Sequence, residues 1–353
     1  MLRSSKAAVY GTVAVVALGL SGCGVSSNRS STSGGAEKCP WKPDTSVTTT
    51  ARIAYQKIPN ADLVVKDRGI LESCMPKAKI KWSSFASGGD VVQAYGKPSV
   101  DIGLMGSSPA TIALSKPLEL PVSVIWIHDV IGTAESLVVK DSKVKSINDL
   151  KGKTIAVPFG STAHFSLLQA LQDAKMDPAK DVKLINLDPE KMPSAWQGNQ
   201  IDAAWVWDPV QSELKKTGHV VLSSADTASA GKPTYDLGTA RNEFVQANPA
   251  FMKQWAKAED YAVKLIQEKP ETAAQSIAVE LGVDAKEAVT LFKGYEYLPA
   301  AKQADPDHLG GKMSKDLLVT ANFLLAQGGI GAVSPAATYD KGVDVTSAEA
   351  AAK

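Results

Sequence analysis

One stretch of this chain is built twice. Residues 152–209 repeat, in the order of their parts, the pattern of residues 51–109. Each copy reads as a short apolar strand (52–55; 154–157), a polar loop, a helix, a second strand (80–82; 182–187) and a short helix. Each then closes on an apolar strand led by an aspartate, Asp101 or Asp202, that breaks at Pro109 or Pro209. Strands that run the same way need a crossover between them, so a βαβαβ unit predicts a parallel sheet, and two units predict two sheets. Open parallel sheets bind ligands beyond the carboxyl ends of their strands. Two such lobes facing each other make a cleft with a binding edge on each wall. The expected fold class is α/β, with two parallel-sheet domains joined by two hinge strands, an architecture suited to trapping a small solute.

The start of the chain reads as a targeting device. Arg3 and Lys6 precede an apolar run at 7–20, and small residues then lead to Leu20-Ser21-Gly22-Cys23. A basic start with a short apolar core is an export signal, too short to span a bilayer comfortably. The Leu-Ser-Gly-Cys ending resembles the lipobox of bacterial lipoproteins, which implies a signal at 1–22 and lipidation of Cys23; an ordinary cleaved signal with a chance cysteine is the alternative. Residues 23–50 are rich in Ser, Thr and Gly and cannot bury enough apolar surface to fold alone, so a flexible tether is expected. Cys39 and Cys74 form an even pair in an exported chain, where a disulfide is expected. Closing that loop stabilises by roughly 3–4 kcal/mol and pins the tether to the first lobe. Free or metal-binding thiols are the other reading, with no further ligands at useful spacing.

Beyond the tether about 300 residues remain, enough for two ordinary domains. The 38 basic and 37 acidic residues nearly balance, and no basic stripe with interleaved aromatics appears, which argues against nucleic acid as a partner. No second apolar run approaches spanning length, so the lipid is the only membrane contact expected. From residue 248 onward apolar residues recur at helical spacing, as at Phe251, Trp255, Ala258, Ala262, Leu265 and Ile266. The chain must cross between lobes twice, and ESLVV (135–139) and YDLGT (235–239) are placed as the crossings. Lobe 1 then comprises 51–136 and 238–353, and lobe 2 comprises 137–237.

Candidate binding groups fall at strand ends. Ser107 and Ser108 precede a helix in the first lobe, and Ser161, Thr162 and His164 open a helix in the second. Each serine alone reads as a helix cap. As a pair on opposing lobes, the two helix starts offer N–H groups and hydroxyls for an anion. Glu135 and Asp236 lie near the hinges. A purely anionic ligand would be repelled by them, so they point to a ligand with a cationic end, a surface acid or salt bridge being the alternative. Trp205 and Trp207 share one face of their strand. Trp207, at the carboxyl end, is the better cleft wall for an alkyl chain or an ammonium. Asp208 either contacts ligand or caps the following helix.

These residues carry a resemblance. GSSPATIALS (106–115), ESLVVK (135–140), GKTIAVPFGSTAHFSLLQAL (152–171) and AWQGNQIDAAWVWDP (195–209) resemble segments of the taurine and aliphatic-sulfonate substrate-binding proteins of ABC importers. The resemblance runs from Arg52 to about Val333. It implies a bilobed periplasmic-binding-protein-like type II fold, a cleft holding a small sulfonate, and delivery to a membrane permease and its ATPase, with a monomer as the working form. Residue by residue it implies ligand contacts from Gln56, Ser107, Ser108, Glu135, Ser161, Thr162, His164, Trp207 and Asp236. The chain departs from the family at Gly160, Leu237-Gly238 and Asp208.

An enzyme on the same scaffold is the competing class. No Gly-x-Ser-x-Gly elbow, His-Glu-x-x-His zinc motif or phosphate-cradling loop ending in Lys is present. His128, His164, His219 and His308 show no metal-like spacing, and neither a metal nor a cofactor is expected. Within the binding class the alternatives to taurine are alkanesulfonates, nitrate-like anions and a pyrimidine vitamin precursor.

Overall fold

The structure is a computed structural model that describes residues 37–353. The expected signal at 1–22, Cys23 and the first part of the tether lie outside the described residues. Strands β1 (Thr50–Tyr55), β2 (Lys79–Ser84), β3 (Ile102–Gly106) and β4 (Val122–Ile131) belong to the first sheet. The chain then enters the second sheet, which holds β5 (Glu135–Val139), β6 (Thr154–Val157), β7 (Lys183–Asn186), β8 (Ala203–Trp207) and β9 (His219–Ser223). It returns to the first through β10 (Tyr235–Arg241) and β11 (Tyr295–Glu296). The strand orders are β11-β4-β10-β3-β1-β2 and β7-β6-β8-β5-β9.

Both sheets are mixed, where all-parallel sheets were expected. β1 runs parallel to β2 and β3, and β6 runs parallel to β7 and β8. The strand that arrives from the other lobe inserts antiparallel in each sheet: β10 between β3 and β4, and β5 between β8 and β9. It needs no crossover helix, because it enters from the side where the preceding strand ended. ESLVV and YDLGT are thus strands within a sheet, and the crossings are the short links before them.

The aspartate that leads the third strand of each repeat has a local reason. Asp101 Oδ2 accepts the Arg52 N–H at 2.8 Å, and Asp202 Oδ2 accepts the Thr154 N–H at 2.9 Å. Each carboxylate therefore fastens the first strand to the third where their pairing begins. β3 and β8 are buried along their whole length, as central strands covered on both faces must be. The C-terminal third is helical. Pro249–Glu268 buries Phe251, Trp255, Ala258, Ala262 and Ile266 against the first lobe.

Residues 37–49 are docked on the first lobe, unlike the flexible span expected up to residue 50. Trp41 donates from Nε1 to Gln254 Oε1 at 2.7 Å and sets its ring edge-on to Tyr261. Thr49 Oγ1 and Asn248 Oδ1 lie 2.9 Å apart. Cys39 and Cys74 are joined by a disulfide. A tryptophan and half a disulfide give residues 37–49 the partners that composition alone does not reveal. Among the described residues no helix is long and apolar enough to cross a membrane.

Candidate functional site

The sheets present one edge to a shared cavity. Parallel strands contribute the residues at or just beyond their ends: Gln56 after β1, Gly106 at the end of β3 and Trp207 at the end of β8. Antiparallel strands contribute their beginnings, Glu135 on β5 and Asp236 on β10. Pairing registers bring these together, since Glu135 lies opposite Trp207 and Asp236 opposite Gly106. Ser161 and Thr162, at the start of the helix Thr162–Asp173, close the wall from the second lobe. The lobes approach closely here: a Cβ placed on Gly106 would fall 2.5 Å from Thr162 Cγ2.

Two helix N-termini meet at this cavity, those of Ser107–Leu114 and Thr162–Asp173. The first turn of a helix has N–H groups without intrahelical acceptors and the positive end of the helix dipole. Ser108 Oγ is buried and has no partner among the described residues. Ser107 Oγ accepts the Tyr235 N–H at 3.3 Å. Ser161 is a working cap: its Oγ donates to Pro158 O at 2.7 Å and accepts the His164 N–H at 3.1 Å. Its side chain is therefore committed to the fold. Gln56 gives one N–H to Leu104 O, which leaves its amide oxygen for other use.

The acidic part of the wall is unusual. Glu135 accepts from Thr162 Oγ1 at 2.6 Å and from Ser224 Oγ at 2.7 Å, so each carboxylate oxygen already has a donor. Burial nevertheless pushes its carboxyl up to about 7, the two hydroxyls offsetting part of the rise. Burial and the charge of Glu135 likewise push Asp236 up to about 7. Asp129 lies opposite Asp236 across β4 and β10 and is pushed well above its ordinary value by burial and by Asp236. Among the described residues no lysine or arginine acts on any of the three. Three carboxyls without a cationic partner are a place for a positive charge brought by a ligand.

The remaining expected residues are placed elsewhere. His164 is not among the residues lining the cavity; its Nδ1 accepts the Gly160 N–H at 3.2 Å, its ring stacks on Phe159, and burial pushes it down to about 4. Asp208 accepts from the Ser212 N–H and hydroxyl at 2.9 and 2.6 Å, which is the cap reading rather than the ligand reading. Trp205 is wholly buried, while Trp207 faces the cavity. The sequence reasoning missed Asp129 and the lining residues Ile58, Pro109, Ile131 and Tyr295. For Asp129 a signal existed, a single acid inside the apolar run VSVIWIHDVI.

A family model described as NMT1/THI5 like matches residues 80–273, more than half of the chain. The chain belongs to the NMT1/THI5-like family. The taurine-binding periplasmic protein of Escherichia coli (strain K12) is 35% identical over 264 residues, covering 73% of this chain and 80% of that protein. The structure of the alkanesulfonate-binding protein from Xanthomonas axonopodis pv. citri, bound to MOPS, superposes with a TM-score of 0.69 at 21% identity, covering 86% of this chain and 99% of that one. A desulfurization enzyme has the same scaffold, with a TM-score of 0.60 at 17% identity over 85% of this chain and 97% of its own. The fold is thus the bilobed type II fold of substrate-binding proteins, and the scaffold by itself does not separate carriers from enzymes.

Proposed function

We propose that this chain is the extracytoplasmic solute-binding component of an ABC importer and that it holds taurine, or a similar small sulfonate, in the interlobe cavity. The observation that carries this reading is the pairing, around one cavity, of two helix N-termini with the buried carboxyls of Glu135 and Asp236. Taurine has a sulfonate that stays ionised at physiological pH and offers three acceptor oxygens. Several N–H donors from two lobes suit it better than one counter-ion. Its ammonium needs carboxylates or an aromatic face, and Glu135, Asp236 and Trp207 are those groups. The taurine-binding relative supports the same ligand.

The chain is a carrier in this reading, not an enzyme. Ser161 is spent as a cap and His164 does not line the cavity, and the hydroxyl that meets a carboxylate there, Thr162 on Glu135, is read as part of the binding wall. The protein serves a permease and its ATPase as a monomer, exported and anchored to the outer face of the cell membrane by a lipid on Cys23, or periplasmic. Calorimetric titration with taurine, ethanesulfonate and nitrate tests the ligand, and NMR of taurine after prolonged incubation tests for turnover. One taurine bound per chain, weaker ethanesulfonate, no measurable nitrate and unchanged taurine are expected. Tighter binding of nitrate, or conversion of taurine, contradicts the proposal.

A further inference from the structure

Asp129 and Asp236 face each other through an irregularity of the first sheet. Leu237 on β10 lies opposite Ile127 on β4, and regular pairing would then set Asp236 opposite His128. The register shifts there instead, His128 is passed over, and Asp236 lies opposite Asp129. A bulge of this kind re-aims side chains. Here it brings two acids together, although like charges directly opposite each other are destabilising. Their surroundings differ. Asp236 lines the cavity, whereas Asp129 is wholly buried and is not among the lining residues.

A buried carboxylate needs donors, and Glu135 has two in Thr162 and Ser224. Neither oxygen of Asp129 accepts a hydrogen bond from an N–H or O–H among the described residues. The ionisable groups in this region are Glu135 on β5, Asp208 just after β8, Tyr295 on β11 and Tyr297 just beyond it. Tyr297 gives its hydroxyl to Pro59 O at 2.5 Å, and the Tyr295 hydroxyl has no partner among the described residues. His128, the neighbour of Asp129 on β4, lies between Asp62 and Glu259. What Asp129 does have is Asp236, since the two carboxyls are hydrogen-bonded to each other. Such a bond exists only if one of them keeps its proton. Burial and the charge of Asp236 push Asp129 well above its ordinary value, whereas the same bond works against the rise of Asp236. The proton therefore belongs to Asp129.

We infer, on the reading of the cavity as a site for a ligand ammonium, that Asp129 is a positioning residue for that ammonium: as a neutral acid it donates its O–H to Asp236, stabilising the ionised Asp236 carboxylate and holding it at the cavity wall. On binding, Asp236 releases its own proton to solvent and accepts from the ammonium, while Asp129 keeps its proton. The pair then carries one negative charge instead of two. Asp129 thereby raises the preference for taurine over a plain alkanesulfonate without lining the cavity itself.

Carbon NMR of the side-chain carboxyls in aspartate-labelled full-length protein, without ligand, reads the proton directly. In the wild type Asp129 should stay protonated from about pH 5.5 to 8.5 while Asp236 titrates. In Asp129→Leu the Asp236 midpoint should rise by about 1–2 pH units, the size of a lost charge-assisted bond. In Asp129→Asn, whose amide N–H can replace the O–H, it should return toward the wild-type value. Calorimetry at pH 7 should find taurine about tenfold weaker in Asp129→Leu, with a smaller loss toward pH 8.5, most of the affinity restored in Asp129→Asn, and ethanesulfonate less affected. An ionised Asp129 at pH 7 in the wild type overturns the proposal whether or not the variants fold. An Asp236 midpoint or a taurine affinity that Asp129→Leu leaves in place overturns it too. A wild type that shows the expected titrations but binds no taurine would contradict the ammonium reading of the cavity and leave Asp129 as the proton donor to Asp236.

Discussion

Glu135 and Asp236 are held where an ionised carboxylate is costly, and no cation among the described residues relieves them. A ligand ammonium would. Glu135→Gln or Asp236→Asn removes a charge-assisted bond worth roughly 1.5–3 kcal/mol, about a tenfold to hundredfold loss for taurine. Ethanesulfonate has no ammonium, so its affinity should fall less or rise; calorimetry of both ligands on both variants reads the ratio, and equal losses would make these carboxyls structural. The pH dependence has two opposite signs. Both folded-state values stand at about 7, above unfolded values of 3.8 and 4.5. Between about pH 4 and 7 the native chain therefore holds more protons, and the contribution of these groups to ligand-free stability is lost as pH rises through that window. Taurine needs the ionised forms, so its affinity should rise with pH by up to about tenfold per unit for each proton released and level off above about pH 8. Titrations from pH 5.5 to 8.5 check this, and a flat profile would contradict it. Glu135 and Asp236 were legible because acids at the edges of apolar strands stand out in a sequence. Asp129 was not singled out, since its place beside Asp236 depends on the β4–β10 register, which joins residues far apart in the chain. The stacking of His164 on Phe159 was not legible either: its position at a helix start is local information, whereas its ring packing is not.

At the scale of elements, the repeat was readable because each copy carries its own apolar strands and leading aspartate. The antiparallel insertion of β5 and β10 was not, because the repeat contains no mark of which neighbour an arriving strand will pair with. The docking of residues 37–49 depends on partners at Gln254 and Asn248, again distant in sequence. The Cys39–Cys74 disulfide fastens this segment beneath the first lobe, away from the cavity lining. Reduction should therefore lower the melting temperature, with a loss of roughly 3–4 kcal/mol on the chain-entropy account, and leave taurine affinity nearly unchanged. Thermal melts and titrations with and without reductant measure both, and loss of binding in a still-folded reduced protein would place the staple within the functional machinery.

For the whole molecule, two mixed sheets and the short links between them set a cavity whose walls come from both lobes, so occupancy and lobe closure are expected to be linked. Anchorage is separate from capture. Cys23→Ala should move the protein from the membrane to the soluble fraction with taurine affinity intact, and a variant that still sediments with washed membranes would contradict lipidation at that residue. The central claim is that one cavity receives both ends of a zwitterion, and the structure of the taurine complex tests it most directly. The ammonium nitrogen should lie within hydrogen-bond distance, about 2.7–3.2 Å, of a Glu135 or Asp236 carboxylate, and the sulfonate oxygens should meet the first turns of Ser107–Leu114 and Thr162–Asp173. Taurine bound outside this cavity, or with its sulfonate against the carboxyls, would contradict it.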